Sequence, residues 1–228
     1  FALGAADYLT KPIDRGQLAA ILARHVTRGE EPRALVISGS DWPQGGNEFS
    51  THFGNRLFGR KNIDAFNGKA VTLANFRAAL AAHTYALCYI QVHSGWTGQG
   101  FEDGELKAKE MARVTTGALI TVNHGCSVAN WARNEAEKSE PNTAMSWVFN
   151  PGVGQAVVAG VRTGMVYGQE QMYKALIAGD YLGEAYLKTK RAAEEEMSKG
   201  DHTPGDIFAG VLLIGNPFLY LKPVPTVP

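Results

Sequence analysis

The sequence predicts an α/β fold, a three-layer sandwich in which a mostly parallel sheet of about six strands carries helices on both faces. Two observations lead to this prediction. Short and nearly continuous apolar runs recur along the chain, as expected for strands that are buried on both faces. Segments with the apolar spacing of amphipathic helices lie between several of these runs, and such alternation is typical of parallel sheets.

Six apolar runs are the predicted strands, and each has the length of a buried strand. They are ALVIS (34–38), KAVTL (69–73), YALCYIQVH (85–93), GALITVN (117–123), GQAVVAGV (154–161) and FAGVLLIG (208–215). The predicted helices between them are 75–83, 169–179 and 182–200. The charged run at the end of the last helix indicates a solvated helix end.

Composition and charge exclude several classes of function. The 228 residues include 22 lysines and arginines and 22 aspartates and glutamates, so the formal balance is zero. We therefore expect no binding to nucleic acid or to an anionic membrane. No apolar run is long enough to span a bilayer, and the two cysteines, Cys88 and Cys126, do not make a disulfide framework.

The first 25 residues form a separate pattern. They predict a short strand, a Lys-Pro turn and an amphipathic helix, and the segment Gly4–Pro12 resembles the end of a response-regulator receiver domain. The resemblance implies that Lys11 would contact a phosphoryl group. The phospho-accepting aspartate would precede residue 1, so we expect no phosphotransfer by this chain. The charged segment 26–33, with Gly and Pro, is the predicted linker to the next domain.

Two of the predicted strands end in side chains that can carry out chemistry. His93 closes the third apolar run, and Cys126 follows the fourth. The stretch between them is long enough for one crossover connection between adjacent parallel strands. In open α/β sheets the reacting groups gather outside the carboxyl ends of the strands, so we expect the imidazole and the thiol at the same edge.

A thiol beside an imidazole suits the hydrolysis of an amide through a thioester. His93 would hold the Cys126 thiolate as an ion pair and then protonate the leaving amine. A helix predicted directly after Cys126 would favour the thiolate. The backbone N–H groups of Cys126 and Gly95 are the predicted oxyanion donors.

Other interpretations of these residues stay open. Cys126 would also fit a small core residue, as Cys88 does inside its apolar run. His124 lies two residues before Cys126, so it is either a rival base or a residue that lines the site. A zinc site from His93, His124 and Cys126 would need a fourth ligand, and the spacing matches no known zinc pattern.

The region from about Arg33 to Pro223 resembles the gingipain-type cysteine peptidases of the caspase-like clan. YIQVHSG and LITVNHGCS match the two strand ends that carry the clan's histidine and cysteine. Three later segments, NTAMSWVFNPGVGQAVVAGVRTGMVYG, LGEAYLKTK and LLIGNPFLYLKP, resemble family segments in the same order. The resemblance implies that 34–223 is a caspase-like peptidase domain, with His93 as general acid and base and Cys126 as nucleophile.

Three departures from the family pattern support a second interpretation. Ser94 stands where the family usually has glycine directly after the histidine, Asn216 stands where aspartate is usual, and His124 is an additional histidine. These departures fit a catalytically inactive caspase-like module that binds proteins and is attached to a signalling receiver. A plain phosphorelay domain is a third interpretation, against which the missing acidic pocket argues.

The resemblance also implies a substrate, which would be a peptide or protein. The loop from Thr163 to Tyr167 would form one wall of the specificity pocket, with Gln91 and Trp96 nearby. Asp41 and Glu48 follow the first strand and are candidates to orient His93. The preference for the residue before the scissile bond stays open, because three acidic side chains could mark a basic pocket: Asp41, Glu102 and Asp103.

No metal or cofactor is expected from the residues themselves, although the resemblance allows a structural calcium ion. The location of the protein in a bacterial cell also stays open. A receiver domain as a natural neighbour would imply a cytoplasmic protein, whereas the gingipain-type enzymes are typically exported.

Overall fold

The computed structural model describes residues 32–114, 117–130, 141–150, 154–161, 169–200 and 210–221. The chain divides into two compact units, Phe1–Glu31 and Pro32–Pro228. The predicted receiver remnant (1–25) and most of the predicted linker (26–33) lie outside the described residues. Their assignment stays a prediction.

The strands form one large sheet and one hairpin. Their bounds are β1 (Ala34–Ser38), β2 (Ile63–Asn67), β3 (Tyr85–Gln91), β4 (Gly98–Phe101), β5 (Gly104–Lys107), β6 (Ala118–Asn123), β7 (Ala156–Gly160) and β8 (Val211–Gly215). The large sheet has the order β2-β1-β3-β6-β7-β8, and β4 pairs with β5. Every neighbouring pair in the large sheet is parallel except β7 and β8. This confirms the predicted mostly parallel sheet of six strands.

Helices cover both faces of the sheet. They are α1 (Pro43–Phe49), α2 (Asn55–Phe58), α3 (Leu73–Ala82), α4 (Ala108–Met111), α5 (Thr143–Val148), α6 (Gln169–Ile177) and α7 (Leu182–Ser198), with a π-helical stretch joining α1 to α2. One core cluster packs α1, α2, α6 and α7 on one face, and a second packs α3, α4 and α5 on the other. The three-layer sandwich is therefore confirmed. No helix among the described residues is long and apolar enough to cross a membrane.

Local sequence sets where several of these helices begin and end. Pro43 stands at the start of α1, where its missing N–H costs nothing. The Thr72 side chain caps α3 by accepting from the Asn75 N–H at 3.1 Å, and Asn142 caps α5 in the same way. α2 ends at Gly59, whose φ of 76° lies outside the helical region. Glycine adopts this conformation more readily than other residues.

The burial of the central strand β3 explains its continuous apolar run in the sequence. All seven of its residues are buried, and from Leu87 to Ile90 they alternate between the two core clusters. Leu87 and Tyr89 pack with α1, α2, α6 and α7, whereas Cys88 and Ile90 pack with α3, α4 and α5. A strand buried on both faces needs apolar side chains at every position, and this gives the continuous run in the sequence.

The predicted strand over 69–73 is wrong. Gly68–Ala70 forms a 3-10 turn, and α3 begins at Leu73 behind its Thr72 cap. The strand at this point of the fold is β2, residues Ile63–Asn67, none of which is fully buried. An edge strand covered incompletely tolerates polar residues, so β2 lacks the apolar run by which the other strands were recognised. The hairpin β4–β5 lies between the third and fourth apolar runs, where the sequence predicts no strand.

The burial of Cys88 leads to a first prediction. Its side chain is completely buried, and burial raises the pKa of the Cys88 thiol above its ordinary value because it disfavours the thiolate. Since the thiolate is the reactive species, we expect Cys88 to resist iodoacetamide at neutral pH until urea unfolds the domain. Cys126 is only partly buried and should be labelled in the folded state.

Mass spectrometry of the intact protein measures both thiols. Folded wild type should take up one adduct and the folded Cys126→Ala variant none, while both should gain one more adduct on unfolding. Rapid labelling of Cys88 in the folded variant would contradict the burial of β3.

Candidate active site

The pairing of β3 with β6 brings the two predicted catalytic loops to one edge of the sheet. Ile90 and Asn123 are partners in the parallel ladder. The ladder continues one step further, because the His124 N–H donates to the Ile90 carbonyl oxygen at 2.7 Å. His93 and Cys126 each stand three residues beyond the Ile90–Asn123 pair, so both follow the carboxyl ends of adjacent strands, as predicted.

The two loops are in direct contact through Ser94 and Gly125. The Ser94 side chain occupies the space into which a Cβ on Gly125 would project. Gly125 is held from its own side as well, since its N–H donates to the Asn123 side-chain oxygen at 2.9 Å. The residue after His93 thus packs on the residue before Cys126, and only a glycine at 125 allows this approach.

His93 is held by two residues from the loop that follows β1. Its Nε2 lies 2.6 Å from Oδ2 of Asp41, and its ring meets the Trp42 ring edge-on with 4.7 Å between centroids. A carboxylate only accepts, so Nε2 donates and Nδ1 is the ring nitrogen that can take up a proton. The side chains of His93 and Asp41 are 71% and 62% exposed, so the pair is open to solvent.

Of the two candidates to orient His93, the structure places only Asp41 against it. Glu48 lies on α1 and is exposed. Its charge acts on Tyr89 instead: burial first, and then the nearby Glu48 carboxylate, raise the pKa of the Tyr89 hydroxyl.

The predicted helix directly after Cys126 is wrong. Residues 126–129 form turns, and Ser127 has a φ of 53°, in the left-handed region that a right-handed helix cannot contain. The Cys126 thiol is free and partly exposed. Within the described segment 117–130, no helix begins directly after the thiol.

The backbone N–H groups after His93 differ in their hydrogen bonding. The Gly95 N–H donates to the Gly98 carbonyl oxygen at 2.9 Å, and the Gly100 N–H donates to that of His93 at 2.7 Å. These two bonds flank the bridge between Ser94 and Gln99, which is therefore a non-hydrogen-bonded pair. The Ser94 N–H consequently points away from the hairpin. An oxyanion role for Gly95, as predicted, would require its bond to Gly98 to break.

His124 is buried between strands and helix, on the face of the sheet that α6 covers. Its ring lies 4.4 Å from that of Tyr89, and its Nε2 is 3.4 Å from the Tyr173 hydroxyl oxygen. Because that hydroxyl donates to Gln169 at 2.9 Å, Nε2 of His124 has to be the donor in this contact. Among the described residues no three metal-binding side chains cluster, so the zinc alternative with His93 and Cys126 is not formed.

The structure describes two of the four residues predicted to line the specificity pocket. Gln91 is buried, accepts a hydrogen bond from the Tyr89 hydroxyl at 2.8 Å and packs against Gly45 of α1. Trp96 is partly buried, and its carbonyl oxygen accepts from the Thr143 N–H at 2.9 Å. Thr163 and Tyr167 lie outside the described residues. The role of this wall in specificity stays a prediction.

A pocket of about 130 Å³ lies on the β1 side of His93 and was missed by sequence reasoning. Its walls are the loop after β1 (39–42), Val71 before α3, Val92 and His93 directly after β3, and residues 100–102 of the hairpin. The sequence signal for it is weak. Trp42 stands in a glycine-rich loop, but only the position of β1 beside β3 shows that this loop meets His93.

The contact between the two loops gives a prediction on stability. We expect Gly125→Ala to destabilise the domain by about 1–3 kcal/mol, because the new methyl group collides with the Ser94 side chain. Gly95→Ala is the matched control, since a Cβ at Gly95 meets no atom within 4 Å. Urea unfolding followed by circular dichroism measures both variants, and equal stability of the two would contradict the contact.

Comparison with known proteins shows that the fold of this domain occurs among solved structures. No protein-family model matches the chain, and no curated protein matches it. Among solved structures, the complex of Porphyromonas gingivalis RgpB pro- and mature domains matches with a TM-score of 0.62 at 15% identity, over 83% of this chain and 48% of that chain. The Arg specific cysteine proteinase gingipain R (RGPB) matches with 0.61 at 13% identity, over 92% and 54%.

A third solved structure, of a protease, matches with a TM-score of 0.57 at 9% identity, over 90% of this chain and 52% of that one. The chain thus spans about half the length of each of these proteins. Likeness at such low identity concerns the fold alone. The described domain has the caspase-like α/β fold of the gingipain cysteine proteinases.

Proposed function

We propose that this domain is a cysteine endopeptidase that hydrolyses peptide bonds through a thioester on Cys126, with His93 as general acid and base. The observation that carries the proposal is the meeting of the two strand-end loops. Ser94 packs on Gly125, so the imidazole and the thiol belong to neighbouring residues of one contact. The hydrogen bond from His93 to Asp41 adds an orienting carboxylate to the pair.

The first half of the reaction leads to the tetrahedral intermediate. Nδ1 of His93 takes the thiol proton, and the sulfur of Cys126 attacks the carbonyl carbon of the scissile bond. The Asp41 carboxylate stabilises the imidazolium that results. The N–H groups of Cys126 and Ser94 are the proposed donors to the oxyanion, since the Ser94 amide points out of the hairpin whereas that of Gly95 does not.

The second half releases both products. His93 gives its proton to the nitrogen of the leaving amine as the C–N bond breaks, and the thioester remains on Cys126. Water then attacks the thioester carbon while His93 accepts a proton from it. The C–S bond breaks, the proton returns to the sulfur, and the enzyme is restored.

The alternative is a caspase-like module that binds proteins without cleaving them. The turn at Ser127, in place of a helix N-terminus, and the commitment of the Gly95 amide are the observations that favour it. The two candidates differ in one property, the turnover of a peptide that depends on Cys126.

We predict that Cys126→Ala abolishes cleavage of a fluorogenic peptide library assayed under reducing conditions. Loss of the nucleophile should lower kcat by roughly 10³-fold or more. Cys88→Ala is the matched control, because it removes the other thiol, which is buried in the core, and should keep the activity. Absence of turnover in wild type, with a Cys126 thiol that labels no faster than free cysteine, would favour the binding module.

We predict that Asp41→Asn lowers kcat by about 10²-fold with little change in KM, because it weakens the hold on the protonated imidazole. Glu48→Gln removes a carboxylate from the neighbouring helix, where it does not contact His93, and should change kcat less than twofold. Steady-state kinetics of both variants provide the measurement. Equal rates for Asp41→Asn and wild type would remove Asp41 from the mechanism.

A further inference from the structure

The pocket beside His93 lies on the opposite side of the imidazole from Cys126. In the sheet, β3 stands between β1 and β6. The pocket is formed by the loop after β1 together with Val71 and the hairpin, whereas Cys126 follows β6. His93 therefore separates the pocket from the thiol.

The chemistry of a cysteine peptidase places the two halves of the substrate against different catalytic groups. The acyl half of the substrate becomes attached to the sulfur, whereas the leaving amine takes its proton from the histidine. The first residue after the scissile bond consequently departs from the histidine side. A pocket at His93 that faces away from the thiol is in position to hold the side chain of that residue.

The size and lining of the pocket suit one long side chain. Its volume of about 130 Å³ corresponds to roughly four water molecules at ~30 Å³ each. Val71, Val92, Phe101 and the ring of Trp42 make most of the wall apolar. Such a wall accommodates an aliphatic stem, and aromatic rings also attract a cation at its tip.

The charges around the pocket determine which charge the far end of a bound side chain would carry. Asp103 is committed to the start of α3, because its Oδ1 accepts from the Leu73 N–H at 2.6 Å. Asp41 is bonded to His93. Glu102 lines the pocket, is exposed, and has no cationic partner among the residues that the structure describes. Its carboxylate is the group that remains to pair with a ligand.

We propose that this pocket is the subsite for the first residue after the scissile bond and that it selects a lysine or arginine side chain through Glu102. The inference rests on the proposed peptidase function and adds a specificity on the leaving-group side. The aliphatic stem lies along Val71, Val92 and Phe101, and the cation lies between the Glu102 carboxylate and the Trp42 ring.

The test uses peptides that differ only at this residue, which is lysine, norleucine or glutamate. Wild type should cleave the lysine peptide with a kcat/KM about fivefold above that for norleucine, and the glutamate peptide least well. Glu102→Gln should bring lysine and norleucine to similar values. Glu102→Lys should reverse the order of lysine and glutamate, while Glu195→Lys, the same change on the exposed surface of α7, should leave it as in wild type.

Direct binding separates the subsite from catalysis. Lys-Ala-amide and norleucine-Ala-amide, titrated calorimetrically into the Cys126→Ala variant, probe the pocket without turnover. Lys-Ala-amide should bind more tightly, and this advantage should disappear when Glu102→Gln is added.

The outcomes distinguish the two proposals. Cleavage of all three peptides with equal kcat/KM, or a lysine preference that survives Glu102→Gln, overturns the subsite and leaves the peptidase function standing. Absence of any cleavage overturns the peptidase function, and the amide titration then decides whether the pocket still selects a cation. Equal binding of the two amides overturns the pocket by itself.

Discussion

The parallel pairing of β3 with β6 is the constraint on which the candidate site depends. It sets Ile90 against Asn123, extends by one bond from His124 to Ile90, and so delivers His93 and Cys126 to one edge of the sheet. Because side chains alternate along a strand, a slip of one residue in this register would turn every side chain of β6 to the opposite core. Burial of both faces prevents that slip, so the same apolar packing that stabilises the sheet also fixes the position of the thiol relative to the imidazole.

The order of the strands in the sheet determines which other side chains reach His93. β1 lies beside β3 on the side away from β6, and its following loop brings Asp41 and Trp42 to His93. Two neighbouring strands thus serve the imidazole from opposite sides, one with a carboxylate and a pocket, the other with a thiol. Both halves of the proposed reaction pass through the same ring nitrogen, Nδ1, while the carboxylate holds the other one.

Prediction from the sequence is correct for the elements whose residue pattern has a single physical cause. Strands buried on both faces require continuous apolar runs, so β1, β3, β6, β7 and β8 were predicted, and with them the strand ends that carry His93 and Cys126. It failed at β2, an edge strand that needs no such run, and at the turn after Cys126, where Ser127 takes a left-handed conformation that its neighbours in sequence do not indicate. The commitment of the Gly95 amide depends on the pairing of β4 with β5, and the contact of Asp41 with His93 depends on strand order; neither is encoded locally.

The most direct test of this account is to trap the acyl-enzyme. An active peptide ester is mixed with the protein, the reaction is quenched in acid, and the intact mass and its peptide map are measured. The account predicts an acyl adduct of one substrate fragment on Cys126, absent from the Cys126→Ala variant and formed much more slowly in His93→Ala. An adduct on another residue, or one on Cys126 that forms at the same rate without His93, would contradict the joint action of the two strand-end residues.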